Sequence, residues 1–340
     1  MIDASTDISA EEWNAFVDSH AESTHCHLWK WRSVFTDVLG HDCEYLVTRR
    51  SGVISGVLPL VKFKSRLFGR SVISLPFVNN GGLLAHDEES ATTLLDEARR
   101  VAIDFDAKHV ELRHRRALAP TLPNRQHKVG MLMPLCDPTT LWDGLDRKAR
   151  NLVRKGQKSQ LEVHQGGVEL VDEFYAVFAD NMRDLGTPVY PKQMFSAVAN
   201  AFPESTAVFV ARHEGVAVAV SFACIYRGTF EVVWASSLKT HRHLNANMLI
   251  YWHMMEFAAG KGCRTFDFGR STPGAGTFHF KVQWGAVPHP LNWEYVLMKS
   301  AQVPDQGPTN PRFHAAISAW KKLPLWVTTT IGPAIVRHIP

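Results

Sequence analysis

The stretch FDFGRSTPGAGTFHFKVQWGA, residues 266–286, gathers residues able to do chemistry: Asp267, Arg270 and Lys281 among aromatic neighbours, with Gly269, Pro273, Gly274 and Gly276 between them. The spacing predicts a strand, a loop built from Gly and Pro, and a second strand carrying Lys281. Strand alternation turns Phe278 and Phe280 one way and His279 and Lys281 the other, and sets Asp267 opposite Phe266 and Phe268. The glycines let the backbone turn sharply and approach a ligand closely. A lone ammonium delivered beyond such a hinge suits a site that must hold negative charge. The competing reading is a tight or bulged turn needed for folding, with Lys281 reaching out to solvent. Asp267 is placed to orient Arg270, to bind an amine or to act as a base, and equally to form a buried structural ion pair.

Other candidates lie upstream. DRKARNLVRKGQKSQ, residues 146–160, is dense in Lys and Arg. On a helix, Lys148, Asn151, Lys155 and Lys158 fall on one stripe and Arg147, Arg150 and Arg154 on the next. This is either a solvated connector helix or an anion cradle. Glu231 and Trp234 share one predicted strand, three positions apart, so alternation sends them to opposite faces. Trp234 is then either core or a platform for stacking a sugar. The Gly186-Thr187-Pro188 break followed by Tyr190 and Lys192 reads as a lid-like loop or as a plain turn between two helices.

The elements that must position these residues come in a repeated order. Ser9 with Glu12 has capping-box spacing and opens a helix at Ala10. Residues 43–76 hold three strands with turns at Ser51-Gly52 and Phe68-Gly69-Arg70, then a helix spans Glu88 to Asp106 and a strand follows at 109–115. The second half repeats this with a helix from Asp172 to Leu185, three strands over 207–238 turning at Glu214-Gly215 and Arg227-Gly228, a helix from Met248 to Ala259, and a strand at 263–269. The expected fold is α/β (α+β), two tandem domains each with a mostly antiparallel mixed sheet flanked by helices. The expected divisions are 1–140, 141–300 and a tail over 301–340.

Composition narrows the class. Of 340 residues, 45% are hydrophobic and 21% charged, as in ordinary globular proteins, and the net charge of +4 makes a mildly basic surface without a nucleic-acid stripe, so no DNA partner is expected. The five cysteines are odd in number and scattered, which argues against a disulfide framework or a zinc site. His25 and His27 around Cys26, and His241 with His243, lack metal-ligand spacing, so no metal is expected. G-x-S-x-G and the P-loop are both missing, which removes the commonest hydrolase and NTPase readings. The first residues carry acids where a secretory signal needs bases, and a cytoplasmic enzyme is expected. The tail segment ISAWKKLPLWVTTTIGPAIVRHIP either packs back onto the protein or lies peripherally on the inner membrane.

KARNLVRKGQKSQLEV, NMRDLGTPVYPKQMF, EVVWASS, NANMLIYWHMMEFA and FDFGRSTPGAGTFHFKVQWGA, taken in order, resemble the Fem-type branch of GNAT-like acyltransferases, in particular FemAB-related proteins found with PEP-CTERM and exosortase systems. The resemblance implies two packed GNAT-like domains and transfer of an acyl or aminoacyl group to an amine of a cell-envelope precursor, of the peptidoglycan or exopolysaccharide type. It implies no tightly bound cofactor, with aminoacyl-tRNA or acyl-CoA as donor and tRNA as a partner in the first case. It implies that the donor lies where the central strands part, and that Lys281 stabilises charge in the transition state. By the same resemblance Tyr190 touches substrate, and Asp267, Arg270 and Tyr190 position the acceptor. Arg150, Asn151, Arg154 and Lys155 would hold anionic groups, with Gly274 and Gly276 close to the ligand. GNAT enzymes bind a pyrophosphate through a glycine-bearing turn, but this sequence has Asn245 and Asn247 at the glycine positions, which counts against routine acetyl-CoA use. Those two side chains either cap the following helix or contact a larger donor or the acceptor. A catalytically idle module that binds a glycan or a lipid-linked sugar is the alternative function.

Overall fold

The computed structural model describes residues 2–65, 68–118, 121–299, 302–304 and 313–339. The chain forms two compact units: Met1–His127 with Pro290–Gly307 and Arg337–Pro340, and Lys128–His289 with Pro308–Val336.

In the first unit, Ser9 and Glu12 form the reciprocal capping box that starts the helix Ala10–Ser19. Its sheet runs in the order Ile2–Ser5, Asp42–Arg50, Val53–Ser65, Gly69–Ile73, His109–His114, Asn292–Leu297, Asn124–Arg125. Along this order only Gly69–Ile73 and His109–His114 pair in parallel. The helix Glu88–Asp104 lays Leu94, Ala98 and Val101 against Leu46, Leu58, Leu60, Val110 and Leu112.

The second unit contains β1 (Val129–Pro134), α1 (Pro138–Gly144), α2 (Arg147–Lys158), β2 (Leu161–Gly166), α3 (Val171–Leu185), α4 (Lys192–Ala201), β3 (Thr206–His213), β4 (Val216–Tyr226), β5 (Thr229–Ser237), α5 (Ala246–Gly260), β6 (Thr265–Ser271), α6 (Gly276–Gln283) and β7 (Val287–Pro290). The sheet order is β7-β1-β6-β5-β4-β3-β2. The two hairpins of β3, β4 and β5 close through Glu214-Gly215 and Arg227-Gly228, all at positive φ as two-residue turns require. β5 and β6 are parallel and are joined through α5. α5 packs Leu249, Met254, Met255 and Ala258 against the face of Phe230, Val232, Phe266 and Phe268. α3 and α4 place Phe174, Phe178 and Phe195 near Phe222 and Trp234 on the other face.

The expected boundaries at 140 and 300 shift in the structure. β1 pairs with β6 and belongs to the second sheet, whereas Asn292–Leu297 pairs with His109–His114 and belongs to the first. β6 and His109–His114 each have a parallel partner on one side and would otherwise bare a row of N–H and C=O groups on the other. Of the tail, residues 302–304 and 313–339 are described, and residues 301, 305–312 and 340 lie outside the described residues. Its helices α7 (His314–Trp320) and α8 (Leu325–Val336) pack on the second unit: Ile317 lies against Gly186 and Gly332 against Val189. Among the described residues no helix is long and apolar enough to cross a membrane.

A Cβ at Gly332 would stand 3.0 Å from the Val189 backbone nitrogen and 3.3 Å from its carbonyl oxygen. Gly332→Leu should therefore push α8 outward and cost about 1–3 kcal/mol by overpacking. A melting temperature unchanged from the parent would show that α8 does not depend on this contact.

Candidate functional site

β5 and β6 pair through Thr229–Thr265, Phe230–Phe266 and Glu231–Asp267, and no register pair follows, although β5 runs on to Ser237 and β6 to Ser271. The strands therefore part just past the two carboxylates. Partners in a parallel register face the same way, so Glu231 and Asp267 lie side by side, each 3% exposed. α5 begins beyond the end of β5, so its N-terminus lies at the end where the strands part.

On the far side of β6, Asp267 pairs with Leu132 and Arg270 with Gly130, one residue more on β6 than on β1. This bulge depends on Gly269, whose φ of +72° disfavours a side chain, and the Gly269 N–H donates to Asp267 Oδ1 at 2.8 Å. The carbonyls of Gly269 and Arg270 accept hydrogen bonds from Lys281 Nζ at 3.2 and 3.0 Å. Lys281 is 7% exposed. Burial pulls its ammonium down to about 8, with Asp267 opposing that pull, Arg270 adding to it and Glu231 opposing it.

Lys281 stands on a helix, α6, and not on the expected second strand. Phe280 and Trp284, one helical turn apart, reach the Tyr251 ring at 5.1 and 6.4 Å, and this shared contact fixes the helical period. Over so short a run the alternation of Phe278 and Phe280 mimics a strand. The hinge also differs from expectation: Gly274 has φ of +77°, while Gly276 is the first residue of α6 and is not at positive φ.

A second bulge overturns the expected opposition of Glu231 and Trp234. Val232 pairs with Ala223 and Trp234 with Phe222, which leaves Val233 as the extra residue. The inserted residue reverses the alternation, so Trp234 comes to the same face as Glu231. Trp234 is 7% exposed, with Phe195 and Phe222 rings at 5.1 and 5.4 Å, so it is core rather than a stacking platform. Tyr190 is half-buried at the rim of the same cluster, its ring nearly parallel to Phe178 at 6.4 Å. Glu231 is the residue that sequence reasoning left unassigned. Its alternation with Phe230 and Val232 is visible in the sequence, but its neighbour Asp267 emerges only from the parallel register.

The basic segment is helix α2, capped by Asp146, with Ala149, Val153 and Gly156 buried and Asn151, Arg154 and Lys155 exposed. Arg150 is half-buried, and the Arg154 guanidinium lies 5.4 Å over the Trp142 ring. Gly156 touches the start of α5: a Cβ there would meet the Asn245 carbonyl oxygen at 3.2 Å. The structure thus brings the end of α2 to the helix start beside the parting strands. Asn245 is left-handed (φ 57°, ψ 30°), a conformation that Asn tolerates, and its Nδ2 donates to the His243 carbonyl at 3.1 Å. Its side chain does not cap α5; its backbone carbonyl accepts from the Met248 and Leu249 N–H groups. Asn247 is exposed in the first turn. Among the described residues no group of three or more His, Cys, Asp or Glu is arranged to hold a metal ion.

Because Asp267 supports the charge on Lys281, Asp267→Asn should move the titration of Lys281 below about 8. Amine-directed labelling of Lys281 across a pH series, read by mass spectrometry, should then begin at lower pH than in the parent. An unchanged onset would show that the two groups are uncoupled.

Residues 144–282 match the model of the acetyltransferase (GNAT) domain. No curated protein matches the chain. Among solved structures the chain is similar to FemX, at a TM-score of 0.67 and 15% identity, covering 87% of this chain and 98% of that one. It is similar to a tandem GNAT protein from the clavulanic acid biosynthesis pathway, at 0.55 and 12%, covering 90% and 100%. It is also similar to L-PGS from Bacillus licheniformis, at 0.54 and 12%, covering 93% and 98%. With strands that part beside a helix start, residues 144–282 match the GNAT domain, and the chain has the Fem-like tandem GNAT fold.

Proposed function

We propose that the second unit transfers an activated acyl or aminoacyl group to an amine where β5 and β6 part. The observation that carries this reading is the buried Lys281 ammonium, with two of its three N–H donors on the carbonyls of Gly269 and Arg270. The third donor is the one that would meet the oxyanion as the amine attacks the acyl carbonyl. Glu231 and Asp267, side by side, attract a cationic amine and supply two carboxylates, one to take the proton it must lose before its nitrogen can attack and one to take the proton lost as the new C–N bond forms. The donor's leaving oxygen or sulfur departs with the electron pair of the broken bond. Tyr190, at the rim of the aromatic cluster, and Arg270 position the acceptor.

The donor in this reading carries phosphates, as aminoacyl-tRNA and acyl-CoA both do. Arg150, Asn151, Arg154 and Lys155 of α2, with Asn245 and Asn247 at the start of α5, hold them, and Gly274 lets the loop before α6 approach closely. The acceptor is an amine of a cell-envelope precursor, of peptidoglycan or exopolysaccharide type, met on the cytoplasmic side. Support for placing the chemistry in this unit also comes from the first one. There the last parallel pair is Ile73 with Glu111, and Glu111 is closed off by Arg113 Nε at 2.7 Å and the Tyr295 hydroxyl at 3.2 Å.

The test incubates the protein with charged tRNA or acyl-CoA and envelope extracts and looks by mass spectrometry for a new amide. Lys281→Ala should lower the transfer rate by about a hundredfold or more. If the cationic form acts, kcat/KM should fall as pH rises through about 8, and Lys281→Arg should remove that limb. Lys281→Ala activity within about twofold of the parent would remove Lys281 from the chemistry. A protein that binds these substrates but forms no amide would be a binding module instead.

Arg154→Glu combined with Lys155→Glu should raise the donor KM by about tenfold, leave kcat near the parent value and flatten the salt dependence. An unchanged KM would make α2 a solvated helix only.

A further inference from the structure

The helix α8 presents an apolar face to solvent. From Leu323 to Val336 the sequence LPLWVTTTIGPAIV contains no charged residue. Thr328, Gly332 and Val336, four residues apart, are the buried side of the helix. Trp326 is 71% exposed, Ile331 41% and Ile335 38%, with Thr330 and Ala334 exposed among them. The threonines make no polar demand on a partner: Thr328 Oγ1 and Thr329 Oγ1 donate to the Leu325 carbonyl, and Thr330 Oγ1 donates to the Trp326 carbonyl at 2.7 Å. Immediately before the helix stand Lys321 and Lys322, both exposed.

We propose that α8 is an interfacial anchor that seats Trp326, Ile331 and Ile335 in the headgroup boundary of an anionic bilayer. Three features select a lipid surface as the occupant. A face whose hydroxyl protons are turned back on their own backbone offers a protein partner few hydrogen bonds for register, while a bilayer needs none. An exposed Trp beside a lysine pair is the composition that settles at a headgroup boundary, the indole at the interface and the ammonium groups toward lipid phosphates. At twelve residues, about 18 Å, the helix cannot span a hydrocarbon core of about 30 Å and must lie along it. This inference does not depend on acyl transfer, because it needs no substrate.

The full chain should be sedimented with vesicles of phosphatidylcholine alone and of phosphatidylcholine with phosphatidylglycerol. Binding is expected to favour the anionic vesicles and to weaken at about 0.5 M salt. Trp326→Ala with Ile331→Ser and Ile335→Ser should lower partitioning by about tenfold or more, and Trp326→Ala alone, at the most exposed of the three positions, should lower it with the melting temperature close to that of the parent. Lys321→Glu with Lys322→Glu, which alters no apolar contact, should abolish the preference for anionic vesicles. The inference is overturned if the parent sediments with neither vesicle, or if the triple variant sediments like the parent. It is likewise overturned if the parent ignores vesicles while the triple variant changes only its elution volume, which would assign the face to a second copy of the chain.

Discussion

A positive charge removed from water is tolerated only where donors and counter-charges replace its hydration. Lys281 satisfies that condition in a specific way. Two carbonyl oxygens of the β6 bulge accept its hydrogen bonds, and two carboxylates oppose the loss of its proton. Desolvating such an ion costs several kcal/mol, so each supporting feature has a function. Gly269 turns the carbonyls inward, and Asp267 fixes the bulge by accepting the Gly269 N–H. The aromatic side of α6, held on Tyr251, carries the lysine to its place.

The two units show what the same topology becomes with and without that ion. In each, one parallel strand pair forms the centre and carries a buried acid at its last register position, Glu111 in the first and Asp267 in the second. In the first, Arg113 pairs with Glu111 and its guanidinium lies 4.3 Å over the Trp293 ring, so the charges neutralise each other inside the fold. In the second, the cation is drawn by burial toward neutrality near physiological pH. A neutralised pair gives rigidity, whereas an ammonium balanced near its titration point keeps its charge responsive to whatever enters.

Local chemistry made most of this legible from the residues. The capping box at Ser9 and Glu12 and the Ser51-Gly52, Glu214-Gly215 and Arg227-Gly228 turns depend on neighbours in sequence, and the structure has them at those places. What sequence reading missed depends on partners far away along the chain. The bulges at Val233 and Gly269 exist only relative to β4 and β1, and the first of them alone moves Trp234 to the face of Glu231. The adjacency of Glu231 and Asp267 likewise needs the parallel register. α6 reads as a strand in the sequence because alternating phenylalanines over a few residues satisfy a strand and a helix equally until Tyr251 is known to receive both Phe280 and Trp284.

The crossed ownership of two strands has a consequence for biosynthesis. Val129–Pro134 leaves the ribosome soon after most of the first sheet but is hydrogen-bonded to a strand more than a hundred residues later, and the first sheet receives Asn292–Leu297 only after both of those strands have been made. The nascent chain must therefore hold an unfinished sheet, with His109–His114 bare along one side, while Lys128–His289 of the second unit is being made. The first sheet can therefore be completed only after that interval, whose length is set by elongation speed.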